Sequence, residues 1–106
     1  MANNYKNAKL DLTTTSVTTL YTCPVAKTSI FKSILVSEDS GNADTITVTV
    51  TSSSSVFSLF KVKAVGANTT VELLTAPLVV QESEILKVTA ATANRLHVVA
   101  SFLEIG

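Results

Sequence analysis

Two residues of the chain are of the types that form a nucleophilic pair: Cys23 is its only cysteine and His97 its only histidine. A cysteine nucleophile needs a base in contact with its thiol and a cleft around both groups. In a threonine-rich chain with one residue of each type, chance placement explains the two better than catalysis does. We therefore expect Cys23 to be a small core or edge residue that precedes a turn, and we predict no catalytic residue and no enzyme activity.

The stretch at positions 38–44, Glu-Asp-Ser-Gly-Asn-Ala-Asp, concentrates three carboxylates and an amide. Oxygen ligands at this density can hold calcium. The stretch lacks the alternating acidic positions and the distal glutamate of an EF-hand loop, while Gly41 and Asn42 are residues that favour turns. We expect a solvated turn here and keep calcium as the alternative. No other pattern in the sequence indicates a metal or a cofactor, and we predict none.

Alternating side chains mark two further candidates. Lys61 and Lys63 would share one face of a strand, where lysines either meet an acidic partner or protect a strand edge from unwanted pairing. Threonines at 45, 47, 49 and 51 would form a flat polar stripe, a surface that could bind a glycan or pack against a neighbouring subunit. The chain has no tryptophan and only 6% aromatic residues. It therefore lacks the stacking platform that is usual for carbohydrate or single-stranded nucleic acid.

Size and charge limit the class of protein. A chain of 106 residues makes one domain, with a core large enough to fold without disulfides or metal. Basic and acidic residues number 8 each, so the net charge is zero, and we expect neither a nucleic-acid partner nor an anionic membrane. Zero charge also weakens repulsion between copies, which fits a protein that lives in an assembly. We see no membrane-spanning run and no signal-peptide pattern, and expect synthesis in a cytoplasm.

The elements that would position these residues are strands. Residues 45–51 alternate strictly between threonine and an aliphatic residue, which is the period of a half-buried strand. Residues 28–37 are also β-branched and apolar. Because the linker between the two segments contains turn residues, we predict that they form a long antiparallel pair at the centre of an all-β domain. The predicted faces of the first segment are Ile30, Ile34 and Val36 on one side and Phe31 and Leu35 on the other.

Short strands separated by turns continue along the chain, and its threonine, serine and valine content makes helix the weaker alternative. The last strand would be apolar on both faces, which is typical of a central or covered strand. Residues 1–8 are polar and lack periodicity, so we predict an arm that is disordered or becomes ordered only on a neighbour. Residues 9–106 are predicted to form an antiparallel β-sandwich, jelly-roll-like, of about seven to nine strands. Further strands are predicted at 9–13, 17–23, 56–65, 69–74, 78–80, 84–90 and 95–105, of which the last two form a pair.

Three stretches resemble small β-sandwich virion proteins of tailed bacteriophages. Residues 20–28, Leu-Tyr-Thr-Cys-Pro-Val-Ala-Lys-Thr, run into Ile-Phe-Lys-Ser-Ile at 30–34. They are similar to a turn of the form Tyr-Thr-x-Pro-x-Gly-Lys-Thr that leads into a strand of the form x-Ile-x-Lys-Ser-Ile. Residues 78–88 resemble Leu-x-Leu-x-x-Gly-Asp-x-Ile-x-Val, and residues 101–105 resemble a terminal Ser-Tyr-x-Glu-Ile. The likeness covers about residues 9–106, with Ala26 and Ser83 at positions where the family usually has glycine.

The resemblance implies a virion structural protein without catalysis or cofactor. Members of this group are decoration (cement) proteins on the capsid shell, or tail- and fibre-associated modules. We predict a capsid decoration protein that is made in the host cytoplasm, binds the major capsid protein or other virion subunits, and forms a dimer or trimer. The alternatives are a tail, adaptor or fibre-associated module and, in a different class, a glycan-binding adhesion module. The candidate contact residues are Tyr5, Lys6 and Lys9 on the arm, with Phe57, Phe60 and the serines at 52–55.

Overall fold

The computed structural model describes residues 3–106, and all of their regular structure is β-strand. The strands are β1 (Asn3–Asp11), β2 (Thr18–Thr22), β3 (Thr28–Glu38), β4 (Asp44–Ser52), β5 (Ser55–Val65), β6 (Thr70–Glu72), β7 (Leu78–Val80), β8 (Ile85–Ala90) and β9 (Leu96–Ile105). They form two antiparallel sheets. Sheet I has the order β1-β9-β3, with β6 and β7 both pairing β3, and sheet II has the order β2-β8-β4-β5.

The chain changes sheet at every connection between these strands except two, the β4–β5 hairpin and the link from β6 to β7. Because β6 and β7 pair with opposite ends of β3, they act as one interrupted strand. The result is two four-stranded layers with the connectivity of a jelly roll. The predicted fold, an antiparallel jelly-roll-like sandwich, is confirmed.

Two of the predicted strand pairings are wrong. The segments at 28–37 and 45–51 do form β3 and β4, but these strands lie in different sheets, and so do β8 and β9. Two half-buried strands joined by a polar turn can bury their apolar faces side by side in one sheet or face to face across a core. The side-chain period is the same in both arrangements, so the period does not distinguish them.

The start of the chain also differs from the predicted arm at residues 1–8. Residues 3–8 belong to β1, which pairs antiparallel with β9 along its whole length. A polar sequence is stable there because an edge strand satisfies the backbone groups of its neighbour while its own side chains remain in water. Residues 1 and 2 lie outside the part of the chain that the structure describes.

The core lies between the two sheets and takes one face of each long strand. Leu96, Val98, Ala100 and Phe102 are buried on one face of β9, as predicted. β9 itself is central, with β1 on one side and β3 on the other. The accessible surface of 5680 Å² is close to the value of about 5,700 Å² expected for a compact protein of this mass.

A β-bulge in β3 changes which of its residues face the core. The pairing with β9 shifts just after Phe31. Phe31 is therefore buried together with Ile34, whereas Ile30 and Leu35 lie on the outer side. The prediction that Ile30 shares a face with Ile34, and Phe31 with Leu35, is wrong because one extra residue exchanges the two faces of a strand.

Three aromatic rings join the sheets in the interior. Tyr21 of β2 packs against Phe31 and Phe102, with ring centroids 5.3 and 4.6 Å away. Phe31 and Phe102 stack on each other at 4.6 Å. Tilted and edge-on contacts of this kind add to the stability that burial of the rings supplies. The cluster fixes the end of the sandwich at which β2 ends and β3 begins.

Candidate interaction surfaces

Cross-strand register places an apolar row across the outer side of sheet I. Tyr5 of β1 lies opposite Leu103 of β9. On its other side Leu103 lies opposite Ile30 of β3, which in turn lies opposite Val79 of β7. Directly opposed residues of an antiparallel pair have their side chains on the same face. This face points away from the core, and on it Tyr5 is 82% exposed and Val79 51% exposed.

A second row crosses the same side of the sheet four residues away. Val99 of β9 lies between Lys9 of β1 and Leu35 of β3, and the two apolar residues are each 39% exposed. A polar row separates the two apolar ones. We call this surface the outer face, and it consists of Tyr5, Leu103, Ile30 and Val79, then Asn7, Ser101 and Ser33, then Lys9, Val99, Leu35 and Glu72.

The outer side of a sandwich sheet normally carries polar side chains, because it meets water. In sheet II, β4 and β8 follow this rule, with Thr45, Thr47 and Thr49 of β4 and Lys87 of β8 alternating with buried residues. Sheet I does not follow it. A contiguous apolar surface that packs against no other part of its own chain indicates a site where another molecule binds.

β5 forms a second apolar surface, in the other sheet. It is the last strand of sheet II, so one of its edges has no neighbouring strand among residues 3–106. Val56, Phe57 and Val62 are 63%, 55% and 60% exposed. Phe60 packs partly against the core and, with Leu74, lines a groove beside the strand. We call Val56, Phe57, Phe60 and Val62 the β5 edge.

Val62 has a backbone conformation that is rare for its residue type. Its φ is 53°, in the left-handed region where a β-branched side chain is strained. The position coincides with a β-bulge, since β5 takes a three-residue step opposite a two-residue step of β4. The N–H of Val62 donates to the hydroxyl of Thr47, 3.0 Å away, instead of joining the ladder. Bulges redirect side chains at a sheet edge, and here the result is an exposed valine.

The five contact residues predicted from the sequence do not form one surface. Tyr5 and Lys9 lie on the outer face, whereas Lys6 turns the opposite way, towards the interior. Phe57 and Phe60 lie in the other sheet, at the β5 edge. The serines at 52–55 lie at the tip of the β4–β5 hairpin, just before this edge in the chain. Sequence analysis missed Leu103, Ile30 and Val79 as surface residues. The apolar character of both faces of β9 was visible in the sequence, but the row requires the register of four separate strands.

Lys6 binds a carboxylate that is buried inside the domain. Glu104 is 3% exposed; its Oε1 accepts a hydrogen bond from Lys6 Nζ at 2.9 Å and its Oε2 accepts one from the Tyr21 hydroxyl at 2.7 Å. These two hydrogen bonds outweigh burial and lower the pKa of Glu104 below 4.5. Burial is the main reason that the pKa of Tyr21 lies above its ordinary value of 10.0. The Tyr21 hydroxyl also lies 2.6 Å from Ser29 Oγ, so the cluster uses its polar groups internally.

Glu38 organises the crossing from β3 to β4. Its carboxylate is 1% exposed and accepts hydrogen bonds from the N–H groups of Ser40, Gly41 and Asn68 at 2.8 to 3.1 Å. The Ser40 hydroxyl donates to it as well. Burial opposes ionisation of this carboxyl, but the hydrogen bonds outweigh it and lower the pKa from 4.5 to about 2. The expected solvated turn is therefore built around a buried charge.

The other carboxylates of the acidic stretch turn to different partners. Asp44 accepts a hydrogen bond from the N–H of Thr92 at 3.0 Å, and Asp39 Oδ1 lies 3.7 Å from Nδ1 of His97. Within the described part of the chain, no group of three or more His, Cys, Asp or Glu side chains is placed to hold a metal ion. The calcium alternative therefore lacks converging ligands among these residues.

Cys23 and His97 lie at opposite ends of the sandwich. The buried thiol of Cys23 is 3.9 Å from Ser29 Oγ, near the start of β3. His97 lies opposite Ser37, near the far end of the same strand, with Asp11 Oδ1 3.3 Å from its Nε2. Eight residues of extended chain separate the two positions along β3, about 27 Å. The thiol and the imidazole are therefore not in contact.

In comparisons with known proteins, the chain matches no protein-family model, no curated protein and no solved structure. No helix among residues 3–106 is long and apolar enough to cross a membrane. The outer face and the β5 edge are the two surfaces of the described chain on which several apolar side chains are exposed instead of packing into the core.

Proposed function

We propose that the chain is a capsid decoration protein of a tailed bacteriophage, a non-enzymatic subunit that binds the outside of the capsid shell and stabilises it. The observation that carries the proposal is a pair of separate apolar surfaces, the outer face in sheet I and the β5 edge in sheet II. A domain that works alone in water gains nothing from leaving both uncovered. A subunit that contacts its own copies with one surface and a shell with the other needs both.

The turns that carry the resemblance to virion proteins support the proposal. Ala26 and Ser83 have φ values of 65° and 67°, and glycine is the residue that adopts this conformation without steric cost. Glycine is what the virion proteins usually have at both positions. The two turns also lie side by side, because the N–H of Ser83 donates to the carbonyl of Cys23 at 2.8 Å. The chain thus keeps a turn geometry that suits the family pattern even where its residue differs.

Attachment through the β5 edge would combine two kinds of contact. A strand without a neighbour offers backbone N–H and C=O groups to an extended segment of the major capsid protein. Val56, Phe57 and Val62 would be buried against that segment, while Lys61 and Lys63 would disfavour partners of the wrong charge. Each such contact is modest, but joined copies bind repeated sites on a shell and multiply the affinity through avidity.

Binding to undecorated particles tests the proposal. Particles from a phage that lacks the gene for this chain are mixed with the purified protein and sedimented. We expect saturable binding to the shells and greater resistance of the decorated shells to heat. Binding to tails alone would favour the tail-associated alternative, and binding to no particle would overturn the proposal.

A variant of the β5 edge shows whether binding uses the proposed surface. Phe57→Ser should weaken shell binding about tenfold or more, because exposed aromatic residues at interfaces are typical hot spots. Val25→Ser is the matched control, since Val25 is 75% exposed in a turn that belongs to neither surface. Equal effects of the two substitutions would remove the β5 edge as the binding surface.

A further inference from the structure

We infer that the outer face is the interface of a symmetric homodimer, in which two copies of the chain pack face to face. The two-fold axis lies in the plane between the copies and runs across the strands along the polar row of Asn7, Ser101 and Ser33. The inference rests on the proposed function for the need of a contact between copies, and it goes further by assigning the surface and the symmetry of that contact; it does not depend on what the β5 edge binds.

The spacing of the rows makes the outer face complementary to itself. The row with Leu103 lies two residues to one side of Ser101, and the row with Val99 lies two residues to the other side. Each is about 7 Å from the central row, since a strand rises about 3.4 Å per residue. A two-fold axis along the central row therefore places each apolar row of one copy on the other apolar row of the second copy.

This superposition joins compatible side chains in the middle of the sheet. Leu103 of one copy meets Val99 of the second, and Ile30 of one copy meets Leu35 of the second. At the β6 and β7 edge, Val79 of one copy meets Glu72 of the second, whose carboxylate accepts hydrogen bonds within its own chain from the Ser33 hydroxyl and from the N–H groups of Ile34 and Leu74. By symmetry each contact occurs twice, as an isologous interface requires. The polar rows meet each other on the axis, where amide and hydroxyl groups can exchange hydrogen bonds.

At the β1 side of the interface, Tyr5 of one copy meets Lys9 of the second. An ammonium group over an aromatic ring is a favourable cation–π contact. In the isolated chain both side chains are exposed, and Tyr5 is the most exposed of the large apolar side chains in the described chain, at 82%. The dimer therefore covers Tyr5, the large apolar side chain that is most exposed in the single chain.

Lys32 lies at the bulge of β3, close to the proposed axis, and its charge has to leave the interface. β6 pairs with residues 35–37 and β7 with residues 29–31, so no strand pairs with β3 at Lys32. The long side chain can extend its ammonium group to water through this gap, while its stem stays on the apolar surface. In the single chain Lys32 is exposed and lines a groove with Tyr5, Asn7 and Ser101, so its side chain must turn from β9 towards this gap when the two copies meet.

The outer face is large enough for a stable dimer. With the two flanking rows that begin at Asn3 and Asp11 included, four strand positions about 4.8 Å apart and a length of nine residues give about 600 Å² per copy. The two copies together would bury about 1,200 Å², above the roughly 1,000 Å² that specific interfaces need. The net charge of the chain is zero, so long-range repulsion between copies does not oppose their association.

Sedimentation equilibrium of the full chain over a range of concentrations tests this arrangement. We expect a monomer–dimer equilibrium for the unaltered protein. Tyr5→Lys should raise the dissociation constant about tenfold or more, because it replaces two cation–π contacts with two pairs of facing lysines. Adding Lys9→Glu to that variant should restore most of the affinity, since it places a carboxylate opposite the ammonium group introduced at position 5.

The rescue is specific to the proposed axis. Within one chain, positions 5 and 9 are four residues apart on a strand, about 14 Å, so they cannot pair with each other. Val25→Lys is the control for added charge and should leave the dissociation constant unchanged, because Val25 lies in a turn away from the outer face. A protein that stays monomeric, a dimer unaffected by Tyr5→Lys, or a double variant without rescue would each overturn the inference.

Discussion

The hydroxyl of Tyr21 donates a hydrogen bond to the carboxylate of Glu104 across the interior, at 2.7 Å. Tyr21 lies on β2 of sheet II and Glu104 on β9 of sheet I, so this bond joins the two layers directly. The same hydroxyl reaches the fully buried Ser29, and Lys6 binds the other oxygen of Glu104. A buried carboxylate is stable at this position because each of its oxygens has a partner.

Tyr21→Phe keeps the aromatic packing and removes only the hydroxyl. We expect the free energy of unfolding to fall by about 2 kcal/mol, because Glu104 and Ser29 both lose a hydrogen-bond partner in a place that water reaches poorly. Urea denaturation measures the change. Tyr5→Phe is the matched control, with an expected effect within about 0.5 kcal/mol, since Tyr5 is exposed. A loss no greater than that of the control would contradict the role of this bond.

Acid should destabilise the fold through Glu38. Its pKa is about 2 in the folded protein and 4.5 ordinarily, so its contribution is fully present above pH 4.5 and is lost as the pH falls towards 2. The lowered pKa values of Glu72 and Glu104 act in the same direction. We therefore expect the free energy of unfolding, measured by urea denaturation at a series of pH values, to decrease steadily between pH 5 and pH 2.

Two substitutions separate the part of this pH dependence that belongs to Glu38. Glu38→Gln should flatten the decrease, because the amide does not titrate. Ser40→Ala should give an intermediate slope, because it removes one donor to the carboxylate and leaves the backbone N–H donors in place. Slopes identical to that of the unaltered protein in both variants would show that Glu38 is not the group that titrates.

Two of the left-handed turn positions, Ala26 and Ser83, predict stabilising substitutions. Ala26→Gly and Ser83→Gly should each raise the free energy of unfolding by about 0.5–1 kcal/mol. The steric cost of a left-handed residue is about 1–2 kcal/mol, and the greater chain entropy of glycine offsets part of that gain. Thermal and urea denaturation measure both variants. The matched control is Ala43→Gly, at an exposed loop position without a left-handed φ, which should destabilise or have no effect.

Val62→Gly should weaken binding without lowering the stability of the fold. Removing a strained, exposed valine relieves the left-handed backbone, so we expect an unfolding free energy that is unchanged or higher by up to about 1 kcal/mol. The same change removes apolar area from the β5 edge and should weaken binding to shells. Denaturation and co-sedimentation measure the two effects separately. A variant that is less stable yet binds normally would show that the bulge serves the fold alone.

The local features of this fold could be predicted from the sequence, and the long-range ones could not. Ile46 and Val48 are fully buried because the alternation at 45–51 is a property of one strand. The connection that takes β3 and β4 into different sheets is organised around Glu38, whose partner Asn68 is 30 residues away in the chain. No local pattern contains that contact. The outer face is a long-range feature as well, because its rows form only when the register of β1, β9, β3 and β7 is set.

Mass-spectrometric counting of this chain in purified phage particles tests most directly whether it is a shell subunit. We expect it to be present in a fixed ratio to the major capsid protein, with a copy number of comparable size. A copy number far below that of the capsid protein would place it in the tail instead. Its absence from purified particles would contradict the proposed function.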